Sequence, residues 1–165
     1  MTAGPCFGCG AIVPDVDGPT HPYIHSSAGC WKKFGEVQAQ ESRRFGYPPA
    51  HRLVVDAYAA QHPGDGSDRR DRQSVFVHLV ALCAMLERGL APASATRLLG
   101  TLVHLQGGFP RLERDSGPGD LTVLHMLDAP DYEGYERRAR EWADAVWGSW
   151  AEHHETIRKA LAAGG

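Results

Sequence analysis

The sequence predicts an all-α protein: a single domain over 1–165, with a bundle of about five helices behind an irregular, zinc-knuckle-like N-terminal segment. Three observations carry this. From position 29 onward apolar residues recur at helical spacing. No stretch long enough for a strand alternates apolar and polar residues with a period of two. Residues 1–28, rich in Gly, Pro and Ser, show little periodicity of either kind. At 165 residues and 42% hydrophobic, the chain has the length of one domain and enough apolar material to bury a core.

Taken in order, the lead segment 1–28 would stay disordered unless something pinned it, and a metal ion is the obvious pin. Trp31, Phe34, Val37 and Glu41 recur at a period near 3.6 and predict a first helix over 30–44, broken by Phe45-Gly-Tyr-Pro-Pro49. A second helix over 50–61 ends at His62-Pro63-Gly64, because Pro disfavours helical geometry in the residue before it. Residues 64–72 read as a charged, flexible loop, and Arg69-Arg70-Asp71-Arg72 as a solvated run within it. The third helix, 73–88, is apolar almost all round and is expected at the centre. Cys83 belongs to its core face. Gly89-Leu-Ala-Pro92 turns the chain into a fourth helix over 93–105, and Gly107-Gly108-Phe-Pro110 and Gly117-Pro-Gly119 break the loop after it. Residues 121–127 suit a short helix or a strand. One long helix over 132–162 closes the chain, its apolar face formed by Ala139, Ala143, Val146, Trp147, Trp150, Ile157 and Leu161.

The cysteines carry the chemistry. Cys6-Phe-Gly-Cys9-Gly10 sets two thiols at the spacing of a zinc knuckle, with a glycine to turn the backbone, and Gly29-Cys30-Trp31 supplies a third. Zinc favours a closed tetrahedron of thiolate and imidazole in structural sites, and C-x2-C is the usual first half of one. Two helices joined by a short break pack antiparallel, so Cys30, which opens the first, and His62, which closes the second, fall at the same end of the pair. Cys6, Cys9, Cys30 and His62 are therefore the expected ligands. His21 and His25, in the same loop as the knuckle, are rivals for the fourth place, and water is another. His51 would lie roughly 16 Å away at about 1.5 Å per residue.

The blocks Cys6-x-x-Cys-Gly10, Gly18-Pro-Thr-His-x-Tyr23, Gly29-Cys-Trp31, His51-Arg-Leu-x-Val-Asp-Ala-Tyr58, Gln61-His-Pro-Gly64, Gln73-Ser-Val-x-Val-His-Leu79, Trp142-Ala-x-x-Val-Trp147 and Trp150-Ala-x-His-His154 run along nearly the whole chain. Together they resemble an uncharacterised bacterial family described only as a domain of unknown function. The resemblance implies no reaction, substrate or partner.

Several other polar residues are candidates for a site. His78 lies on the most apolar helix and needs a partner, which Asp56, Tyr58 or a backbone carbonyl can supply. His51, Val55, Tyr58 and His62 share one face of the second helix, with Asp56 beside that stripe. Of His153 and His154, one is expected inward. Thr20-His21-Pro22-Tyr23, stiffened by prolines, suits either a site wall or an anchor onto Trp31. Were the protein an enzyme, its catalytic residues would come from His21, Asp56, His78 and His154, and His51 is a further group that could converge with them between helices.

A net charge of −3 and a mixed-sign surface give no footprint for nucleic acid. The run from Val75 to Leu86 is too short to span a bilayer, and no membrane partner is expected. Met1-Thr-Ala-Gly-Pro-Cys6 has neither the basic nor the apolar part of a signal peptide, so a reducing cytoplasm is expected, which favours metal over disulfide. No G-x-G-x-x-G, Walker loop, H-E-x-x-H or G-x-S-x-G occurs. The expected function is a zinc-binding, binding or regulatory module for an unidentified protein or small molecule, as monomer or homodimer. The alternative is a small zinc-dependent hydrolase or lyase with a His-rich pocket between helices.

Overall fold

A computed structural model describes residues 2–104 and 108–164 of this helical protein. The lead segment forms a small antiparallel hairpin, β1 (Ala3–Pro5) and β2 (Ile12–Pro14), with Gly4 opposite Val13. Between the strands lies the C-x2-C turn, where Gly10 takes a left-handed φ of 77° that other residues rarely adopt. Three-residue strands were too short to register as an alternating pattern in the sequence.

Helix α1 (Ala28–Phe45) begins two residues before the expected Cys30, because Ser27 caps it: its Oγ accepts the Cys30 N–H at 3.3 Å. It stops at Gly46, whose left-handed φ of 64° closes the last turn. Helix α2 (Ala50–Gln61) follows and runs back along α1. Phe34 stacks on Tyr58 at 3.9 Å near one end of the pair, and Glu41 meets His51 at the other. Helix α2 also packs closely on α3 (Arg69–Leu86) and α5 (Tyr132–Gly148), so its Val54, Ala57 and Ala60 are fully buried.

Helix α3 corrects the expected loop over 64–72. It starts at Arg69, not Gln73, with Asp68 as its N-cap, and so takes in the whole Arg69–Arg72 charge run. Asp71, expected in solvent, is only 5% exposed. Leu79, Val80, Leu82 and Cys83 are completely buried, which makes α3 the central helix. Helix α4 (Pro92–Leu102) opens on a proline suited to a first turn. Its expected end at Leu105, and the breaker Gly107, lie outside the described residues. Residues Val123–Met126 form one turn of 3-10 helix, so 121–127 contributes no strand.

The single long C-terminal helix expected over 132–162 is two helices. Helix α5 ends at Gly148, a 3-10 turn covers Ala151–His153, and α6 (His154–Gly164) continues to the end of the described residues. Trp150 leaves helical geometry, and its indole instead donates to the Ala60 carbonyl at 3.1 Å. His154 stacks flat on Trp147, ring centroids 3.8 Å apart, and bonds its carbonyl at 2.8 Å. Apolar periodicity runs straight through this break, and only the packing reveals it. The described residues thus contain six α-helices.

Candidate metal centre

Cys6 and Cys9 stand on the turn of the N-terminal hairpin, Cys30 in the first turn of α1, and His62 at the C-terminal cap of α2. Their ligand atoms all lie within 4.8 Å of one another. Cys9 Sγ is 3.8 Å from Cys30 Sγ, and Cys30 Sγ is 3.5 Å from His62 Nε2. All four residues are buried, none more than 3% exposed, and the thiols are free. This cluster is close enough to bind a metal ion.

The surroundings fit a cation. The Ser27 N–H points at Cys6 Sγ from 3.4 Å, and the Tyr58 hydroxyl, also bonded to Ser26 Oγ, points at Cys30 Sγ from 3.5 Å. Both donors favour thiolates. His62 donates Nδ1–H to the Tyr58 carbonyl at 2.7 Å, which turns the lone pair of Nε2 toward the sulfurs. Three thiols so close cannot all ionise by themselves. Hydrogen bonds from Cys30 and Cys9 hold the Cys6 thiol far below the usual range, and Cys30, bonded to Cys6 and Cys9 and buried, is pushed far above it. A bound divalent cation would remove that conflict, because a coordinating thiol is deprotonated outright.

Close approach explains two glycines of the sequence motifs. A Cβ on Gly8 would sit 2.5 Å from the His62 ring and 2.7 Å from the His25 carbonyl. One on Gly29 would sit 2.0 Å from the Pro14 carbonyl, where β2 lies against α1. The lead segment is thus fitted to the helices by backbone contact as well as by sulfur.

The two rival histidines are engaged elsewhere. His21 Nδ1 accepts the N–H groups of Tyr23 and Ile24, both at 3.2 Å, and its ring packs on Tyr23 and Trp31. It braces its own loop, and burial together with the charges of His78 and His25 lowers its pKa. The His25 ring bonds Asp71 at 2.8 Å, while its backbone N–H donates to the His62 carbonyl at 3.0 Å.

The remaining candidates form separate groups. Asp56, fully buried, bonds His78 Nδ1 at 2.6 Å and receives two bonds from Arg52. His51 bonds Glu41 at 2.5 Å, and Glu41 also takes the Tyr135 hydroxyl at 2.5 Å. His154 lies against Trp147. The convergence expected of His51, Asp56, His78 and His154 therefore reduces to the Asp56–His78 pair. Glu41, Asp71 and Arg52 were missed as polar partners. Glu41 had a signal, since a carboxylate on the apolar stripe of Trp31, Phe34 and Val37 must face the interior.

These features define a helical protein with a buried Cys3His cluster tying its N-terminal hairpin to a helix pair. A family model described as "Family of unknown function (DUF5946)" matches residues 4–151, and the chain belongs to that family. No curated protein and no solved structure matches it. Among the described residues no helix is long and apolar enough to cross a membrane.

Proposed function

We propose that the protein is a zinc-stabilised helical binding module, in which Cys6, Cys9, Cys30 and His62 hold one structural zinc ion. The observation that carries this is the burial of four convergent protein donors. Four donors complete a tetrahedron and leave no position for substrate, which counts against the alternative of a zinc-dependent hydrolase or lyase. Two of the separations fit zinc. Bonds of about 2.3 Å to sulfur and about 2.0 Å to nitrogen give tetrahedral edges of about 3.8 Å between sulfurs and about 3.5 Å from sulfur to nitrogen. Cys9–Cys30 and Cys30–His62 are 3.8 and 3.5 Å.

When bound, the ion supplies folding energy to a segment with little core of its own. The chain's residues do the rest: Tyr58 orients the imidazole, Ser27 and Tyr58 stabilise the thiolates, and the glycines admit the knuckle. Elemental analysis of a freshly reduced preparation tests the reading. One zinc per chain is expected, with loss of the cooperative melt of the N-terminal segment on chelation. A preparation without stoichiometric metal, or a melt unchanged by chelator, overturns it.

A further inference from the structure

Between the N-terminal segment and α3 lies a cavity of about 490 Å³, with Tyr23 on one wall and Arg70, Ser74, Val77 and His78 on the other. Arg70, Ser74 and His78 follow one another at i, i+4 and i+8, so they form a ladder on one helix face. The helical rise spreads that ladder over about 12 Å. Among the described residues no carboxylate lines the cavity. Asp56 lies behind His78, its charge matched by Arg52.

Each rung has unused capacity. His78 gives Nδ1–H to Asp56, so Nε2 is left as an acceptor, and it has no partner among the described residues. Ser74 is 4% exposed, and its Oγ, itself below the accessible surface, bonds nothing among the described residues. Buried polar atoms are nearly always satisfied, and one left idle in a residue that lines a cavity calls for an explanation. The Arg70 guanidinium makes no ion pair with a described residue, although Asp68 and Asp71 stand nearby in the chain.

We propose that this cavity binds a small molecule with an oxyanion at one end, held by Arg70 and Ser74, and a hydroxyl or amine at the other, donated to His78 Nε2. Carboxylate and phosphate share the chemistry that Arg70 and Ser74 recognise. Val77 faces the ligand's apolar middle, and Tyr23 covers it. The inference rests on the binding-module reading, whose ligand it names, but not on the identity of the ion.

Nuclear magnetic resonance of the full chain as purified tests it, with inorganic phosphate and glycolate titrated separately against sodium chloride at matched ionic strength. Saturable shifts of the Ser74 amide and the His78 imidazole are expected. Stronger binding of phosphate assigns a phosphate ester, and stronger binding of glycolate a hydroxy acid. Arg70→Gln weakens binding about tenfold, the ordinary loss for one charge-assisted hydrogen bond. Ser74→Ala weakens it too while leaving the thermal midpoint unchanged or raised, because no protein bond is lost. A purely structural serine would not show that split. The proposal is overturned if chloride reproduces the shifts, if neither anion saturates, or if both variants bind like the parent. A zinc-free preparation that still binds phosphate overturns only the metal reading; a zinc-loaded one that binds neither anion overturns only this one.

Discussion

His62 Nδ1 lies 2.7 Å from the carbonyl oxygen of Tyr58, one turn earlier in α2. A carbonyl only accepts, so Nδ1 must carry the proton, and Nε2 is left as a lone pair 3.5 Å from Cys30 Sγ. The chain alone thus turns this donor atom toward the sulfurs. His62→Gln and Cys9→Ser are expected to lose stoichiometric metal. Structural zinc contributes about 10–16 kcal/mol to folding in small peptides, so either loss should release the hairpin. Hydrogen exchange would show it: amides of β1, β2 and the first turn of α1 lose protection, while those in the middle of α3 keep theirs.

Two glycines of α1 should respond with opposite signs. Gly29→Ala drives a methyl to within 2.0 Å of the Pro14 carbonyl, so either β2 lifts from the helix or the helix start shifts. Gly35 is an exposed position in the same helix, with nothing within 4 Å of its added Cβ. Gly35→Ala should therefore stabilise by about 1 kcal/mol, the ordinary helix-propensity gain. Urea unfolding of both variants checks this, and a neutral Gly29→Ala would contradict the close approach.

Glu41 is completely buried between Tyr135 and His51, 2.5 Å from each. Glu41→Ala leaves the buried Tyr135 phenol without its acceptor and releases the partly exposed His51 ring, and should cost about 1–3 kcal/mol. Glu41→Gln keeps an acceptor for Tyr135 and should cost less. The order of the two denaturation midpoints is the measurement. Equal costs would mean that the carboxylate's charge, which both variants remove, carries the whole loss.

The convergence of Cys6, Cys9, Cys30 and His62 was legible because it follows from simple geometry. An antiparallel helix pair brings the start of one member to the end of the next, and His62 follows from Cys30 on that ground. His78 needed a partner, and Asp56, one of those foreseen, provides it. What was not legible depended on contacts between distant residues. The break after Gly148 is invisible to periodicity, because Trp147, Trp150, Ile157 and Leu161 hold a helical stripe across it. It exists because Trp150 bonds Ala60 and His154 covers Trp147. The charges of Arg69–Arg72 read as a solvated loop, although Asp68 is a good N-cap and starts α3 there. Asp71 is buried by His25 of the lead segment, a pairing that spans 46 residues.

Glu87 offers a test of electrostatics away from the Cys3His cluster. Arg158 of α6 bonds both its carboxylate oxygens, at 2.7 and 2.8 Å, and Trp147 donates to it at 3.0 Å. The Arg158 guanidinium, helped by Trp147 and opposed by partial burial, holds the Glu87 pKa down to about 2. Its unfolded value is about 4.3, so the folded state favours the ionised form. The resulting stability is complete above about 4.3 and is lost as pH falls toward about 2. Arg158 is roughly half exposed, which limits the contribution to about 1 kcal/mol or less, weakened further by salt. Urea unfolding of the parent and Glu87→Gln at pH 6 and pH 3 reads it as a difference between two proteins. Both lose any bound metal together in acid, so that loss cancels. The gap should narrow at the lower pH and in 1 M sodium chloride; a gap equal at both pH values would show that the carboxylate's charge contributes nothing.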